Sequence, residues 1–232
     1  MLKCDVCGTE NDDLALKCSG CRGYLQAKVE VLDLFPTLWG LIERPRRTFQ
    51  RIVRARRKNF AFGLAALLGV AVAFLVLWAR QSGTAFGILV EVVGVGIAIG
   101  IPAGVLLVVV LAVGAERLSR MLGGRGGAKN FFAVIAFSAA PILYALVLVL
   151  PAEMAIFGMY LFDRNPDPMA LKPEVYIALL GFDVLSALWS AALLHIGLEE
   201  ASGAGRLRGV ALTLGVLGLA AAVIAGAIAV RL

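Results

Sequence analysis

The sequence predicts an all-α integral membrane protein, with five transmembrane helices behind a small amino-terminal head. Of its 232 residues, 60% are hydrophobic and 16% are charged, whereas an ordinary soluble domain has about 45–50% and about 25%. The mean hydropathy is +0.89. From Phe60 onward, apolar runs of membrane-crossing length alternate with short polar breaks. A soluble fold could not bury this much apolar surface.

The head, residues 1–28, contains all of the cysteines, arranged as two Cys-x-x-Cys pairs separated by ten residues: Cys4, Cys7, Cys18 and Cys21. Zinc prefers four soft donors in a tetrahedron, and two such pairs fill its coordination sphere. A pair of disulfides or a redox pair is the alternative. The amino terminus has no apolar leader segment, which favours a reducing, cytosolic location. We therefore predict a structural zinc site, and the head resembles a short bacterial or archaeal zinc ribbon.

Residues 29–59 are predicted to form an amphipathic basic connector at the membrane surface. Residues 31–42 are apolar but too short to cross, which indicates an interfacial segment. Behind them, Phe49, Ile52 and Val53 recur at the spacing of one helical stripe, which suits a helix that lies on an anionic leaflet. Eight cations share this second helix, and we expect them to contact anionic lipid. They are Arg44, Arg46, Arg47, Arg51, Arg54, Arg56, Arg57 and Lys58. Enforcement of topology alone is the simpler explanation of these charges.

The expected spans are residues 60–79, 86–113, 131–150, 175–197 and 209–230. Pro102 and Pro141 fall within spans two and three and predict kinks. Residues 152–162 either extend the third span or lie in the interface, and residues 163–168 form a loop.

The distribution of basic residues predicts the orientation. With the amino terminus in the cytosol, 18 Lys and Arg residues lie inside and four outside. An odd number of spans then places Arg231 and Leu232 outside. Of the net charge of +6, +5 is carried by residues 1–59. Because this charge adjoins a bilayer segment, it indicates a membrane surface rather than nucleic acid as the partner.

Three ionisable residues are predicted to lie in or near the spans. Asp183 falls within span four, and Glu91 lies at a similar depth in span two, and two carboxylates at one level could share a proton or hold a cation. The alternatives are an interfacial Glu91 and an Asp183 that only joins two helices. His195, the only histidine, lies one turn from Glu199 and would form either a pH-sensing pair with it or a hydrated interfacial side chain.

Two ladders of small residues predict close helix packing, within the bundle rather than between copies. They are Gly96, Gly100 and Gly104 in span two, and Gly218, Ala222 and Gly226 in span five. No catalytic constellation is present, because a single histidine cannot supply a metalloprotease ligand set and no nucleophile elbow surrounds a serine. We expect no enzymatic activity.

Three stretches resemble the Yip (Ypt-interacting protein) family of five-span membrane proteins. They run from Trp39 to Ile52, from Leu122 to Pro141 and from Trp189 to Glu200. The resemblance covers about residues 37–232 and implies the five-span fold and a membrane-organising role. Many prokaryotic relatives carry a zinc ribbon in front, which implies a prokaryotic cytoplasmic membrane. Eukaryotic members bind small GTPases of the Rab type, but this chain lacks their cytosolic motif, so no such partner is implied.

Together these features predict a non-enzymatic membrane adaptor or organiser. The zinc ribbon would present a surface to an unidentified cytosolic or membrane protein, and the basic helix would contact anionic lipid of the inner leaflet. A homo-oligomer is also possible. The alternative is an ion- or proton-coupled transporter that uses Asp183 with Glu91.

Overall fold

The computed structural model describes residues 2–4, 7–12, 15–22, 25, 31–203 and 205–230. The expected boundary between head and connector, at residue 28, and the carboxyl-terminal Arg231 and Leu232 lie outside the described residues. The head contains two short antiparallel strands, β1 (Leu2–Lys3) and β2 (Glu10–Asn11). Leu2 lies opposite Asn11 in this pair. Helices form the rest of the fold.

The described helices are α1 (Leu34–Glu43), α2 (Pro45–Arg54), α3 (Ala61–Arg80), α4 (Leu89–Met121), α5 (Ala128–Ser138), α6 (Ala140–Phe157), α7 (Pro168–Leu171), α8 (Pro173–Ser202) and α9 (Arg206–Ala229), with 3-10 turns at Ser82–Ala85 and Gly158–Phe162. Five segments are long and apolar enough to cross a membrane: Ala61–Arg80, Leu89–Met121, Ala128–Phe162, Pro173–Ser202 and Leu207–Ala229. The prediction of five spans is confirmed.

The second and third spans differ in detail from the expected ones. Helix α4 continues for 33 residues to Met121, and Pro102 lies within it. The third span is broken at Ala139, because Pro141 has no backbone N–H and its ring excludes the carbonyl one turn earlier. Residues 152–162 extend this span through α6 and the following 3-10 turn.

Helix α5 forms the centre of the bundle. Every residue from Phe131 to Ser138 is buried, and the helix packs against α2, α3, α4 and α8. A helix that is apolar on all sides needs an apolar environment, either lipid or protein, and for α5 that environment is other helices. The α5 part of the third span is therefore enclosed by the first, second and fourth spans and by α2.

Helix α2 closes one end of the bundle, which we call the head end. Phe49, Ile52 and Val53 are buried in the main core, and α2 contacts α5 and α8. The ring of Phe49 fits beside Gly197, where an added Cβ would lie 2.9 Å from the ring. The stripe found in the sequence is therefore covered by protein, which corrects the expectation that it faces lipid.

At the opposite end, which we call the far end, a smaller core joins α3 to α8. The indole Nε1 of Trp78 donates a hydrogen bond to the hydroxyl of Tyr176 at 3.1 Å. The loop predicted at residues 163–168 is present, and Asp167 caps the short α7 by accepting from the N–H of Met169 at 2.9 Å.

Candidate functional sites

The four cysteines of the head converge on one point. Their sulfur atoms all lie within 4.8 Å of one another, with Cys4 and Cys21 3.6 Å apart and Cys7 and Cys18 3.4 Å apart. None of these four cysteines forms a disulfide. A zinc–sulfur bond of about 2.3 Å would set the sulfurs of a tetrahedron about 3.8 Å apart. The donor set is therefore close enough to bind a metal ion, and its spacing fits a tetrahedral one.

The first Cys-x-x-Cys turn is shaped by backbone hydrogen bonds. The N–H of Gly8 donates to the carbonyl oxygen of Cys4 at 2.8 Å, and the N–H of Cys4 donates to the carbonyl oxygen of Thr9 at 3.0 Å. Gly8 has a φ of +73°, a conformation that glycine adopts without the penalty of a Cβ. The turn thereby directs Cys4 and Cys7 toward the same point.

Neighbouring donors favour the thiolate form of Cys18. Backbone N–H groups of Cys21 and then Gly20 point at this sulfur and lower the pKa of Cys18 to about 6. The N–H of Gly20 lies 3.3 Å from the sulfur. The side chain of Thr9 likewise lowers the pKa of Cys7. Because metals bind thiolates, these donors prepare the site for an ion.

Asn11 joins the two cysteine turns. Its Nδ2 donates to the carbonyl of Thr9 at 2.7 Å and approaches the sulfur of Cys18 at 3.6 Å. Its Oδ1 accepts from the backbone N–H of Ser19 at 2.8 Å. Asn11 lies between the two Cys-x-x-Cys pairs in the sequence, but its role as a support for the ligands is visible only in the three-dimensional contacts.

Replacing Asn11 by alanine is expected to weaken metal binding by about 10- to 100-fold, the usual cost of losing an outer-shell support. A competition titration with a chromophoric chelator would measure the change. Asn11→Asp, which keeps an acceptor for Ser19, should lose less than Asn11→Ala. Equal affinity in wild type and Asn11→Ala would show that the four thiols orient themselves without this residue.

Some cations of the basic connector are exposed, and others bind protein groups. Arg46 forms ion pairs with Glu199 at 2.5 Å and with Glu200 at 2.8 Å. Lys58 donates through Nζ to the carbonyl oxygens of Ile52 and Val53 at the end of α2. These two side chains therefore bind protein. Arg54 is half-buried, and the remaining five arginines are exposed: Arg44, Arg47, Arg51, Arg56 and Arg57.

Burial, with a smaller contribution from the nearby charge of Lys129, lowers the pKa of Lys58 to about 8. Only the neutral amine is acylated, so reactivity should rise as the pH passes through this value. We expect acetic anhydride labelling of Lys58, followed by peptide mass spectrometry, to show a midpoint near pH 8. Lys129→Gln should move that midpoint upward. A wild-type midpoint above pH 10 would contradict the placement of Lys58.

Asp183 is half-buried on α8, and the acidic residue near it is Glu153 rather than Glu91. Glu153 lies on α6, is only 6% exposed and interacts electrostatically with Asp183. Within the described residues it has no hydrogen-bond partner. Tyr176, Asp183 and Ser190 recur every seven residues and so share one face of α8.

Glu91 lies in the first turn of α4 and is exposed. Its Oε2 accepts a hydrogen bond from the N–H of Gly87 at 2.8 Å, which stabilises the start of the helix. Glu91 is therefore bound within its own turn, and none of the interactions of the described residues joins it to Asp183. Glu153 was missed because it follows Pro151, in a segment whose membrane depth the sequence left open.

His195 is half-buried between α8 and α9. Its Nδ1 lies 3.0 Å from the hydroxyl of Thr213, whose own proton is donated to the carbonyl of Gly209. Nδ1 is therefore the donor in this contact. Glu199 pairs with Arg46, so the expected pair between His195 and Glu199 is replaced by a hydrogen bond between helices.

The two small-residue ladders have different surroundings. A Cβ at Gly100 would lie 2.6 Å from the Cα of Val70, so the ladder of α4 packs tightly against α3. Close packing within the bundle is confirmed there. Gly218 and Gly226 on α9 have no described atom within 4 Å of an added Cβ, so these two glycines of the second ladder do not pack against the described part of the chain.

The fold defines a polytopic helical membrane protein, preceded by a four-cysteine head. The family model for the Yip1 domain matches residues 39–228. The chain therefore belongs to the Yip1 domain family, in agreement with the resemblance seen in the sequence. Comparisons with curated proteins and with solved structures find no match to this chain. The four-cysteine head lies ahead of the matched segment.

Proposed function

We propose that this protein is a non-enzymatic membrane adaptor whose zinc-bound head presents an interaction surface in the cytosol. The observation that carries the proposal is the convergence of four thiols within 4.8 Å of one another. Four thiolates complete the coordination of zinc and leave no open position for substrate, as in structural rather than catalytic sites. A prokaryotic cytoplasmic membrane is the proposed location.

The proposed orientation follows from charge. The connector and the loops at the head end together contain most of the Lys and Arg residues of the chain, and such residues are retained in the cytosol. The exposed arginines would also attract anionic lipid, at about 1 kcal/mol each near the surface. The head and the basic helix would thus act on the same side of the membrane.

Cross-linking in native membranes, followed by mass spectrometry, tests the adaptor proposal. We expect a cytosolic protein to be captured by the wild type and to be lost from Cys4→Ser/Cys7→Ser. Lys3→Ala/Glu10→Ala, which changes exposed strand residues without touching the ligands, controls for substitutions in the head. If wild type and the cysteine variant capture the same proteins, the metal-bound head is not needed to recognise them.

A second candidate function, an ion- or proton-coupled permeability, is favoured by the burial of Glu153 near Asp183. Acidic groups within a span are costly, and functional sites are where they are retained. In proteoliposomes, Glu153→Gln and Asp183→Asn should abolish the flux of protons or alkali cations. Glu91→Gln is the matched control and should leave it unchanged. Wild-type flux in both interior variants would exclude these carboxyl groups from transport.

A further inference from the structure

Helix α1 presents an apolar face that the described residues do not cover. Phe35 is 83% exposed, Trp39 63% and Ile42 45%. At 100° per residue these three side chains fall within an arc of about 60°. The opposite side of α1 packs against the rest of the protein, where Leu41 is buried in the main core. The exposed face is therefore a continuous stripe on a helix that is already anchored.

The attachment of α1 places this stripe at the membrane surface. A single residue, Arg44, separates α1 from α2, and α2 packs against α8 beside Gly197 at the head end of a membrane span. Ten residues make a helix of about 15 Å, which is too short to cross a bilayer. Such a helix lies in the plane of the interface.

Basic residues adjoin the stripe and supply charge complementarity to lipid. Arg44, Pro45, Arg46 and Arg47 form a shallow, open surface depression at the start of α2. Arg46 is held by two glutamates. Arg44 and Arg47 are exposed and form no ion pair with another described residue. They lie at the first turn of α2, where Pro45 has no N–H and the N–H of Arg44 donates to Gly40, which leaves the backbone N–H groups of Arg46 and Arg47 to face an anion.

Trp39 has the environment of an interfacial tryptophan. Its indole Nε1 donates to the Oε1 of Glu43 at 2.9 Å, so its polar atom is satisfied within the helix while its ring is exposed. Tryptophan is enriched at the depth of lipid headgroups, where an apolar ring and a polar atom both find partners. A protein partner would need to cover the same ring and also neutralise the two arginines.

We propose that the stripe of Phe35, Trp39 and Ile42 inserts into the leaflet at the head end, with Arg44 and Arg47 binding the phosphate of an anionic phospholipid. This inference deepens the proposed lipid contact of the basic connector, on which it rests. It does not depend on the protein partner of the head. The two are separated experimentally, because nanodiscs that contain only the full-length protein and lipid hold no such partner.

Tryptophan quenching measures the insertion. The difference in emission between wild type and Trp39→Phe reports Trp39 while leaving Trp78 and Trp189 in place. In nanodiscs of phosphatidylcholine and phosphatidylglycerol, we expect brominated acyl chains to remove more than half of the Trp39 emission and iodide to remove little. Lys3→Trp in the Trp39→Phe background is the matched control, an indole on the head that iodide should reach and brominated lipid should not.

The arginines are tested by the same signal. Arg44→Gln/Arg47→Gln should weaken quenching by brominated phosphatidylglycerol at least twofold, whereas Arg164→Gln/Lys172→Gln, at the far end, should not. Strong iodide quenching of Trp39, or protection from both quenchers, would overturn insertion and indicate water or protein over the stripe. If the extent of quenching by brominated lipid is the same without phosphatidylglycerol, and the same in Arg44→Gln/Arg47→Gln as in wild type, the two arginines are not the phosphate ligands.

Discussion

Replacing Gly104 by alanine is expected to force α3 away from α4 and to destabilise the bundle by about 1–3 kcal/mol, as overpacking of a filled interface does. An added Cβ would lie 2.3 Å from the carbonyl oxygen of Ala65 and 2.4 Å from the Cα of Gly69. Both atoms belong to the backbone of α3, so no side-chain rotation relieves the overlap. Thermal unfolding in detergent, followed by circular dichroism, measures the loss.

Gly94→Ala is the matched control, because it lies on the same helix and an added Cβ there meets no described atom within 4 Å. We expect it to be neutral, or to stabilise α4 by about 0.5–1 kcal/mol through helix propensity. Equal unfolding temperatures for Gly104→Ala and Gly94→Ala would show that the contact between α3 and α4 is looser than the structure has it.

Cys4→Ser/Cys7→Ser is expected to abolish stoichiometric zinc binding and to unfold the head. A small domain with four cysteine ligands obtains most of its folding free energy from the metal, about 10–16 kcal/mol in zinc-finger peptides. Plasma emission spectrometry of the purified protein gives the zinc content, and limited proteolysis reports the fold of the head. Unchanged zinc content in the double variant would refute the assignment of the site.

The membrane bundle should tolerate this loss. In the part of the chain that the structure describes, an ion pair between Arg125 and Asp12 joins the head to the bundle; it is 3.8 Å long and solvent-exposed, and exposed pairs contribute about 0–1 kcal/mol. Insertion of Cys4→Ser/Cys7→Ser into membranes, followed by alkaline extraction, should therefore match that of wild type. Release of the variant by alkali would show that the head supports the spans.

The features that the sequence predicts well depend on local chemistry. A run of about 20 apolar residues defines a span whatever its neighbours are, and the spacing from Cys4 to Cys21 defines a ligand set. The break at Pro141 is also local, because a proline disrupts its own helix. The number of spans and the four-cysteine cluster both follow from such signals.

The features that the sequence predicts poorly depend on which helix surfaces contact each other and which contact lipid. Phe49, Ile52 and Val53 were recognised as one stripe, but periodicity alone does not distinguish lipid from α5 and α8 as the covering surface. Glu153 and Asp183 are 30 positions apart, and their proximity follows from the packing of α6 on α8. Lys58 belongs to a basic run, yet its ammonium group turns toward the carbonyls at the end of α2.

The position of Phe49 beside Gly197 has a consequence for biogenesis. The two residues are far apart in the chain, and part of the surface that covers Phe49 is made by α8, the fourth span. During synthesis α2 can contact α5 first, but the docking of Phe49 is complete only after the fourth span has entered the membrane. A ribosome-bound chain that stops before α8 should expose Phe49 to a photoreactive probe, and a chain that stops after α9 should protect it.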